Sequence, residues 1–138
     1  MTRLEIALGV GRPVGELAPY FEGLAIGEAR ATHCASCDRT WFAPRLACAC
    51  GSGALSWTKL SGAGIVVAAT RTEIRLPGEE AAMPGTFAWI AMEGASNRIL
   101  GTIEGDGTVV PGDRVELVPD SRPRAGVCWR AVFRVMSR

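Results

Sequence analysis

Residues 33–52, HCASCDRTWFAPRLACACGS, hold four of the five cysteines in this chain and decide its fold. Cys34 and Cys37 form a C-x2-C pair, and Cys48 and Cys50 form a C-x-C pair after ten intervening residues. Two such pairs across a short hairpin can place four sulfur atoms at the corners of a tetrahedron, the geometry of Zn²⁺ in structural four-cysteine sites. The spacing therefore predicts a zinc ribbon with metal ligands Cys34, Cys37, Cys48 and Cys50. A closed site of this kind stabilises the fold and leaves no position open for substrate.

Other interpretations of the cysteines stay open. Iron can occupy the same four-thiolate site, and a degenerate site can lack metal altogether. A disulfide is disfavoured because we expect a cytoplasmic protein, in which thiols stay reduced. We expect this localisation because Gly, Arg and Pro interrupt the N-terminal apolar run before it reaches the length of a signal-peptide core. A redox C-x2-C pair would need a βαβ setting, which the pattern lacks.

The composition indicates a folded chain with a core of its own. It has 138 residues, of which 48% are hydrophobic, and this excludes general disorder. No window approaches about 18 uninterrupted apolar residues, so we predict no membrane span and no membrane partner. The formal net charge of +1 offers no electrostatic basis for binding nucleic acid, so we predict no nucleic-acid partner.

Residues 1–33 are predicted to be a helical lead-in to the cysteine segment. Leu17, Phe21 and Leu24 recur at helical spacing and would bury one face of a short helix. A proline stands near its start, where proline is tolerated, and two glycines offer places to stop. Such a short helix is marginal alone, so its apolar face needs a surface to pack on.

From Leu55 onward the pattern changes to short β-rich segments separated by turn signals. Five strands are predicted, over residues 55–74, 86–93, 98–105, 113–119 and 127–135. Their number and spacing, with no long helix between them, predict a small antiparallel barrel. Gly62 and Gly64 indicate a bend or bulge within the first strand. Residues 73–85, with two prolines and two adjacent glutamates, predict a long loop that is either functional or a tolerated insertion.

These motifs, in this order, resemble the DUF35 family. The resemblance covers residues 19–135 and rests on C-x2-C, F-x-P-R, C-G-S and W within residues 34–57, followed by L-S-G-x-G at residues 60–64. Weaker similarities are VPGDRVEL at residues 110–117 and the terminal FRV. Each cysteine pair with its tight turn is called a knuckle, and the second knuckle of the family usually reads C-P-x-C-G. Here Ala47 stands at the position of its first cysteine, and Cys48 follows one residue later.

The resemblance implies a mainly β fold, in which an N-terminal helix and a rubredoxin-like zinc ribbon precede a five-stranded OB-fold barrel. The expected parts are a helical lead-in over residues 1–33, a zinc ribbon over residues 34–53 and an OB-fold barrel over residues 54–138. The expected role is the non-catalytic small subunit of a thiolase-type acyl-CoA complex, such as a benzoylsuccinyl-CoA thiolase in aromatic degradation. Its partner would be a thiolase-fold protein, whose acyl-CoA site it helps to assemble or close. A structural zinc ion and a CoA thioester shared with the partner are the expected cofactors.

The residues themselves are consistent with an accessory role. A thiolase needs a nucleophilic cysteine activated by histidine. The single histidine, His33, adjoins a knuckle and is expected to be a bystander, which leaves Cys128 without a base. We expect Cys128 to be a small buried residue in a strand. Glu79 and Glu80 are adjacent in the long loop and indicate a solvated charge pair rather than an acid–base couple.

Contacts to a CoA thioester are expected from arginines beside an apolar groove. Arg71 and Arg75, at the start of the long loop, are the cofactor-binding candidates, and Arg98 could flank the same mouth of the barrel. Ordinary surface arginines are the alternative interpretation of all three.

The surface for the partner protein is predicted on the helix at residues 17–24 and on Trp41, Phe42 and Pro44 of the ribbon. A second functional class stays open, namely a free-standing OB-fold binder of acyl-CoA or lipid, or of single-stranded nucleic acid. A binder of single strands needs a basic groove with stacking aromatic residues. Here aromatic residues make up 7% of the chain, and acidic residues interrupt the barrel strands.

Overall fold

The computed structural model describes residues 15–73, 85–105, 107–120 and 130–136. A 3₁₀ turn at Gly15–Leu17 leads into helix α1 at Ala18–Ile26. Eight strands follow: β1 Ala29–Cys34, β2 Thr40–Trp41, β3 Leu55–Leu60, β4 Ala63–Thr72, β5 Gly85–Met92, β6 Arg98–Ile103, β7 Arg114–Val118 and β8 Val132–Val135. The prediction of a mainly β chain, with one N-terminal helix and a cysteine cluster ahead of a five-stranded barrel, is confirmed.

Helix α1 packs one face onto the rest of the chain. Leu24 is buried in the main hydrophobic core, as the spacing of apolar residues predicted, and so is Tyr20, whereas Leu17 and Phe21 are half-buried. The helix ends at Gly27, whose φ of +76° is accessible to glycine at little cost and whose N–H bonds to the carbonyl of Gly23. None of the helical segments in the described ranges has the length and hydropathy needed to cross a bilayer.

The ribbon is a three-stranded sheet in the order β2-β1-β3. Strand β1 pairs antiparallel with β3 along its whole length, from Ala29 opposite Leu60 to Cys34 opposite Leu55. The two residues of β2 pair with the other edge of β1. This pairing brings the first knuckle, at the end of β1, beside the loop that precedes β3.

The prediction of one bent strand over residues 55–74 is wrong. The segment forms two strands in different sheets, β3 in the ribbon and β4 in the barrel. Gly62 has a φ of +87° in the connection, and its carbonyl accepts a hydrogen bond from the N–H of Leu117 in β7. A bulge does occur, but between Val66 and Ala68 of β4 rather than at the glycines.

The barrel is closed in the order β4-β5-β6-β8-β7, which is an OB-like arrangement. It is not wholly antiparallel as predicted, because β6 and β8 run parallel. Phe133 of β8 is fully buried in its core. A Cβ atom on Gly101 of β6 would lie 2.5 Å from the Phe133 ring, so only glycine lets the ring occupy this position.

Helix, ribbon and barrel share one core. Leu24 of α1 and Phe42 of the ribbon belong to the same buried cluster as Ile90 and Phe133 of the barrel.

The division of the chain at residues 33 and 53 stays a prediction. Arg75 and Cys128, together with Glu79, Glu80 and most of the predicted long loop, lie outside the described residues.

Candidate metal centre and surface groove

Four thiols from separate segments converge in the ribbon. Cys34 ends β1, Cys37 lies in the turn that follows, and Cys48 and Cys50 lie in the loop before β3. Their sulfur atoms all lie within 4.8 Å of one another. The Sγ atoms of Cys34 and Cys50 are 3.7 Å apart, and those of Cys37 and Cys48 are 3.4 Å apart. Cys48, at the shifted position of the second knuckle, therefore belongs to the cluster.

The separations between the sulfur atoms fit a metal site. A tetrahedral Zn²⁺ ion with Zn–S bonds of about 2.3 Å needs sulfur–sulfur distances of about 3.8 Å. A disulfide needs a bond of about 2.05 Å, and the four cysteines are free thiols. Four cysteines this close together can bind one metal ion such as zinc.

Each knuckle is a tight turn closed by backbone hydrogen bonds. In the first turn the N–H of Asp38 donates to the carbonyl of Cys34 at 2.9 Å, and Asp38 has a φ of +66°. In the second turn the N–H of Gly51 donates to the carbonyl of Cys48 at 3.0 Å, and Gly51 has a φ of +92°. Asparagine, aspartate and glycine are the residues that adopt this left-handed conformation most readily. The two turns thus follow from the local sequence.

Backbone amides next to the sulfur atoms favour thiolates. The N–H of Cys37 lowers the pKa of the Cys34 thiol, against the opposing effect of burial. The N–H of Cys50 is the largest cause that lowers the pKa of Cys48 to about 6. The N–H of Arg39 acts in the same direction on Cys37, but burial and the neighbouring thiols together raise its pKa to about 12. The amides beside Cys34 and Cys48 thus favour the thiolate, which is the form in which cysteine binds a divalent cation.

Trp41 packs against the buried side of the cluster. It shares a small core with Cys34 and Cys48, and the guanidinium carbon of Arg45 lies 4.3 Å from the centre of its ring. The buried indole Nε1 has no hydrogen-bond partner within the described ranges, and the Trp41 side chain also helps to lower the pKa of Cys48. Its effect on the Cys48 pKa marks that sulfur as the acceptor for this buried donor, so the residues present fit a metal-bound thiolate.

An open groove of about 390 Å³ lies where helix, ribbon and barrel meet. Tyr20 of α1 and Ala43 of the ribbon line it, together with Trp89 of β5 and Leu100 of β6. Arg98 and Arg130 also line the groove. The groove thus combines apolar walls with two cationic side chains.

The groove continues into an exposed apolar face of the barrel. Trp89 and Leu100 lie directly opposite each other on β5 and β6 and are 48% and 53% exposed. Ala68 of β4 pairs with Trp89 on its other side, and Ile65, further along β4, is 51% exposed. We call Ile65, Ala68, Trp89 and Leu100 the outer face. Exposed apolar side chains that neighbour one another on a sheet are typical of interaction sites.

The predicted partner surface on the helix and ribbon is wrong for Leu24, Trp41 and Phe42, whereas Leu17 and Phe21 of the helix are half-buried. Phe42 and Leu24 are fully buried, and Trp41 and Tyr20 are 8% exposed. Pro44 is half-buried. The four buried side chains are part of the packed interior, so they are not available to a second protein. The large apolar side chains exposed beside the groove belong instead to the barrel.

The structure does not bring Arg71 and Arg98 to one mouth of the barrel. Arg71 pairs with Thr86 at one end of β5, and Arg98 pairs with Ala91 near the other end. Five residues of strand separate them by about 17 Å. Arg71 is exposed beside a smaller cavity of about 120 Å³, whereas Arg98 lines the larger groove.

Sequence reasoning missed the outer face, although a signal for it was present. The alternation in residues 86–92, TFAWIAM, puts Phe87 and Trp89 on the side of the strand opposite to Ala88 and Ile90. In the structure Ala88 and Ile90 face the core, while Trp89 faces outward. Alternation alone does not say which side faces water, because both sides carry large apolar residues.

Tyr20, which lines the groove, gives the stability of the fold a measurable pH dependence. Burial raises the pKa of Tyr20 to about 12, and Tyr20 is the single tyrosine of the chain. Between about pH 10 and pH 12 the unfolded chain releases a proton that the folded chain keeps. Stability is therefore full below about pH 10 and falls as the pH rises, by ~3 kcal/mol at most. Absorbance of tyrosinate against pH, with urea unfolding at each pH, measures both effects. Ionisation near pH 10 in the folded chain would contradict the expectation.

Comparisons with known proteins identify the fold. No protein-family model matches the chain, and no curated protein matches it. Among solved structures, the Ltp2-ChsH2(DUF35) aldolase matches with 22% identity and a TM-score of 0.69, over 90% of this chain and 98% of that chain. A DUF35 family protein of unknown function from Sulfolobus solfataricus matches with 20% identity and a TM-score of 0.63, over 88% of this chain and 87% of that chain. Both neighbours carry the DUF35 name, so the DUF35 fold predicted from the sequence motifs is confirmed.

Proposed function

We propose that this chain is a DUF35 protein that acts as the non-catalytic small subunit of an acyl-CoA enzyme. The observation that carries the proposal is the outer face with its adjoining groove, where the exposed side chains of Trp89 and Leu100 lie side by side. One structural neighbour, ChsH2(DUF35), is named together with a second protein, Ltp2, in an aldolase. A subunit that assembles with an enzyme needs a surface of this kind, and it needs no catalytic residues of its own.

The metal in this role is a structural zinc ion. The four thiols and the backbone amides that favour thiolates support zinc over a disulfide. Four cysteines complete a tetrahedral shell, so the ion would bind no substrate and would hold the two knuckles together. Its effect on assembly is indirect, through the position of the ribbon.

The partner we propose is a thiolase-fold protein that supplies the nucleophile for acyl-CoA chemistry, with a benzoylsuccinyl-CoA-type thiolase as one example. Its contact surface would carry apolar side chains against Trp89 and Leu100. It would carry acidic side chains toward Arg98, which lines the groove beside them. The small subunit would close one side of the partner's acyl-CoA site.

Direct contact with CoA through Arg71 and Arg75 also stays a proposal. Arg71 is exposed beside a cavity lined by Thr86 and Thr108, and its planar guanidinium suits a phosphate. Arg98 and Arg130 beside the larger groove offer the alternative. CoA titration of the assembled complex decides between the two sites. Arg71→Ala would weaken CoA binding if the smaller cavity holds the phosphates, and Arg98→Ala would weaken it if the larger groove does.

The proposal is tested by isolating the tagged chain from its native extract, with mass spectrometry and zinc analysis of the eluate. A co-purifying thiolase-fold protein, with about one zinc ion per small chain, supports it. Leu100→Glu places a charge in the outer face and should reduce the yield of partner at least tenfold, because a buried unpaired charge is costly. Leu100 is 53% exposed, so the folded chain should tolerate this change.

The matched control is Ile26→Glu, because Ile26 is 57% exposed and lies at the end of α1, outside the outer face. It should leave the yield of partner unchanged. Equal loss of partner in both variants would show that added charge, and not the outer face, is responsible.

A free-standing OB-fold binder is the second candidate function. An exposed tryptophan with a nearby arginine is also the surface on which single-stranded nucleic acid stacks, and Trp89 and Arg98 provide that pair. A chain that elutes alone, or with nucleic acid, would favour this function and overturn the accessory role.

A further inference from the structure

The groove is built jointly by the ribbon and the barrel. Tyr20 of the helix and Ala43 of the ribbon line it together with Trp89 and Leu100 of the barrel. Ala43 directly follows Phe42, which is fully buried and whose ring packs edge-to-face on Tyr20, with ring centres 5.4 Å apart. The shape of the groove therefore depends on how the ribbon sits on the barrel.

One turn of the barrel holds the ribbon through three hydrogen bonds. We call residues 93–97, which connect β5 to β6, the junction turn. The N–H of Ser96 donates to the carbonyl of Thr40 at 2.7 Å, and the N–H of Thr40 donates to Oγ of Ser96 at 3.0 Å. The N–H of Phe42 donates to Oδ1 of Asn97 at 2.9 Å. Because Phe42 is buried, its amide would lack a partner without this side chain.

The ribbon strand held by the junction turn also reaches the thiol cluster. Strand β2 contains only Thr40 and Trp41, and it pairs on its other edge with β1, which ends at Cys34. Trp41 packs on Cys34 and Cys48, and the N–H of Cys34 donates to the carbonyl of Arg39 just before β2. So short a strand cannot keep its position without both neighbours.

We propose that the junction turn couples the thiol cluster to the groove, so that metal bound by the four cysteines holds the wall of the groove in place. Asn97 is the positioning residue in this coupling, since its Oδ1 accepts the hydrogen bond from the N–H of Phe42 and the residue also lines the groove. The use of the groove as a docking surface rests on the proposed function. The coupling itself belongs to the isolated chain and can be measured there.

Hydrogen exchange of the full chain, with zinc bound and after zinc is removed by a chelator, tests the coupling. Removal should speed exchange in residues 40–43 and 96–102 roughly fivefold to tenfold, as expected for lost hydrogen bonds. Exchange in β7, Arg114–Val118, should change little, because the described strand pairing joins β7 to β4 and β8 and not to β2 or the junction turn.

Substitution of Asn97 separates the coupling from a general loss of stability. Asn97→Ala should retain one zinc ion per chain yet show fast exchange at Phe42 and residues 97–100 with the metal bound. Asn97→Asp keeps an oxygen acceptor and should restore slow exchange. Ser61→Ala, which removes a side chain bonded to the N–H of Ala63 in another exposed turn, is the matched control.

The outcomes distinguish this inference from the proposed function. Unchanged exchange at residues 96–102 after metal removal would overturn the coupling, as would slow exchange in zinc-loaded Asn97→Ala. Either result leaves co-purification with a partner unaffected. A chain that shows the coupling but binds no partner would overturn the proposed function and leave the coupling standing.

Discussion

Cys34→Ser is expected to abolish zinc binding and to unfold the ribbon. The Cys34 side chain is fully buried, and its sulfur lies 3.7 Å from that of Cys50, so a serine oxygen there cannot complete a four-thiolate shell. A structural zinc site contributes about 10 kcal/mol to folding, and losing one thiolate removes much of that. Metal analysis should give less than about 0.2 zinc per chain, against about one in the parent chain. Circular dichroism should show loss of ordered structure.

Ser36→Ala is the control for this prediction, because Ser36 lies between the two cysteines of the first knuckle and its exposed hydroxyl bonds only to Ser52 in the described structure. It should bind zinc as the parent chain does. Full zinc occupancy in purified Cys34→Ser would contradict the assignment of Cys34 as a ligand.

Phe133→Ala is expected to destabilise the barrel by about 3–5 kcal/mol, the range for removing a fully buried aromatic ring. The Phe133 ring is 0% exposed, and it lies so close to Gly101 that even a Cβ atom at that position would collide with it. Little can move into the space left by the ring, because Gly101 has no side chain to fill it. Urea unfolding of the zinc-loaded chain measures the change in the free energy of unfolding.

Leu100→Ala serves as the comparison, since Leu100 neighbours Gly101 on β6 but is 53% exposed. Its free energy of unfolding should change by less than about 0.5 kcal/mol, as for other exposed positions. If both variants lost equal stability, the outer face would be part of the core rather than a surface for a partner.

The convergence of the four cysteines was predictable because its signal is local. The C-x2-C and C-x-C pairs specify tight turns, and two tight turns can present four sulfur atoms to one point whatever the rest of the chain does. Strands β5, β6 and β7 were predictable within a residue or two for a similar reason, since alternation and turn residues act over short distances. The sequence predicted a bend at Gly62. It did not predict that the segment is divided there between the ribbon sheet and the barrel.

The surfaces were not predictable, because burial depends on residues far apart in the chain. Trp41 and Trp89 both lie in strands, yet Trp41 packs against the thiol cluster and Trp89 faces outward. The difference arises from the hydrogen bonds of the junction turn and from the shared core, which join segments about 55 residues apart.

The sequence by itself determined the four-cysteine centre, the helix that precedes it and the presence of a short-stranded barrel, because spacing, caps and turns act within a few residues. Only the tertiary structure decided which apolar residues remain exposed. It closed the barrel with a parallel β6–β8 pair, buried Trp41 and Phe42, and assembled a groove from Tyr20, Ala43 and Leu100. Those outcomes depend on the packing of distant segments against one another, which no local pattern specifies.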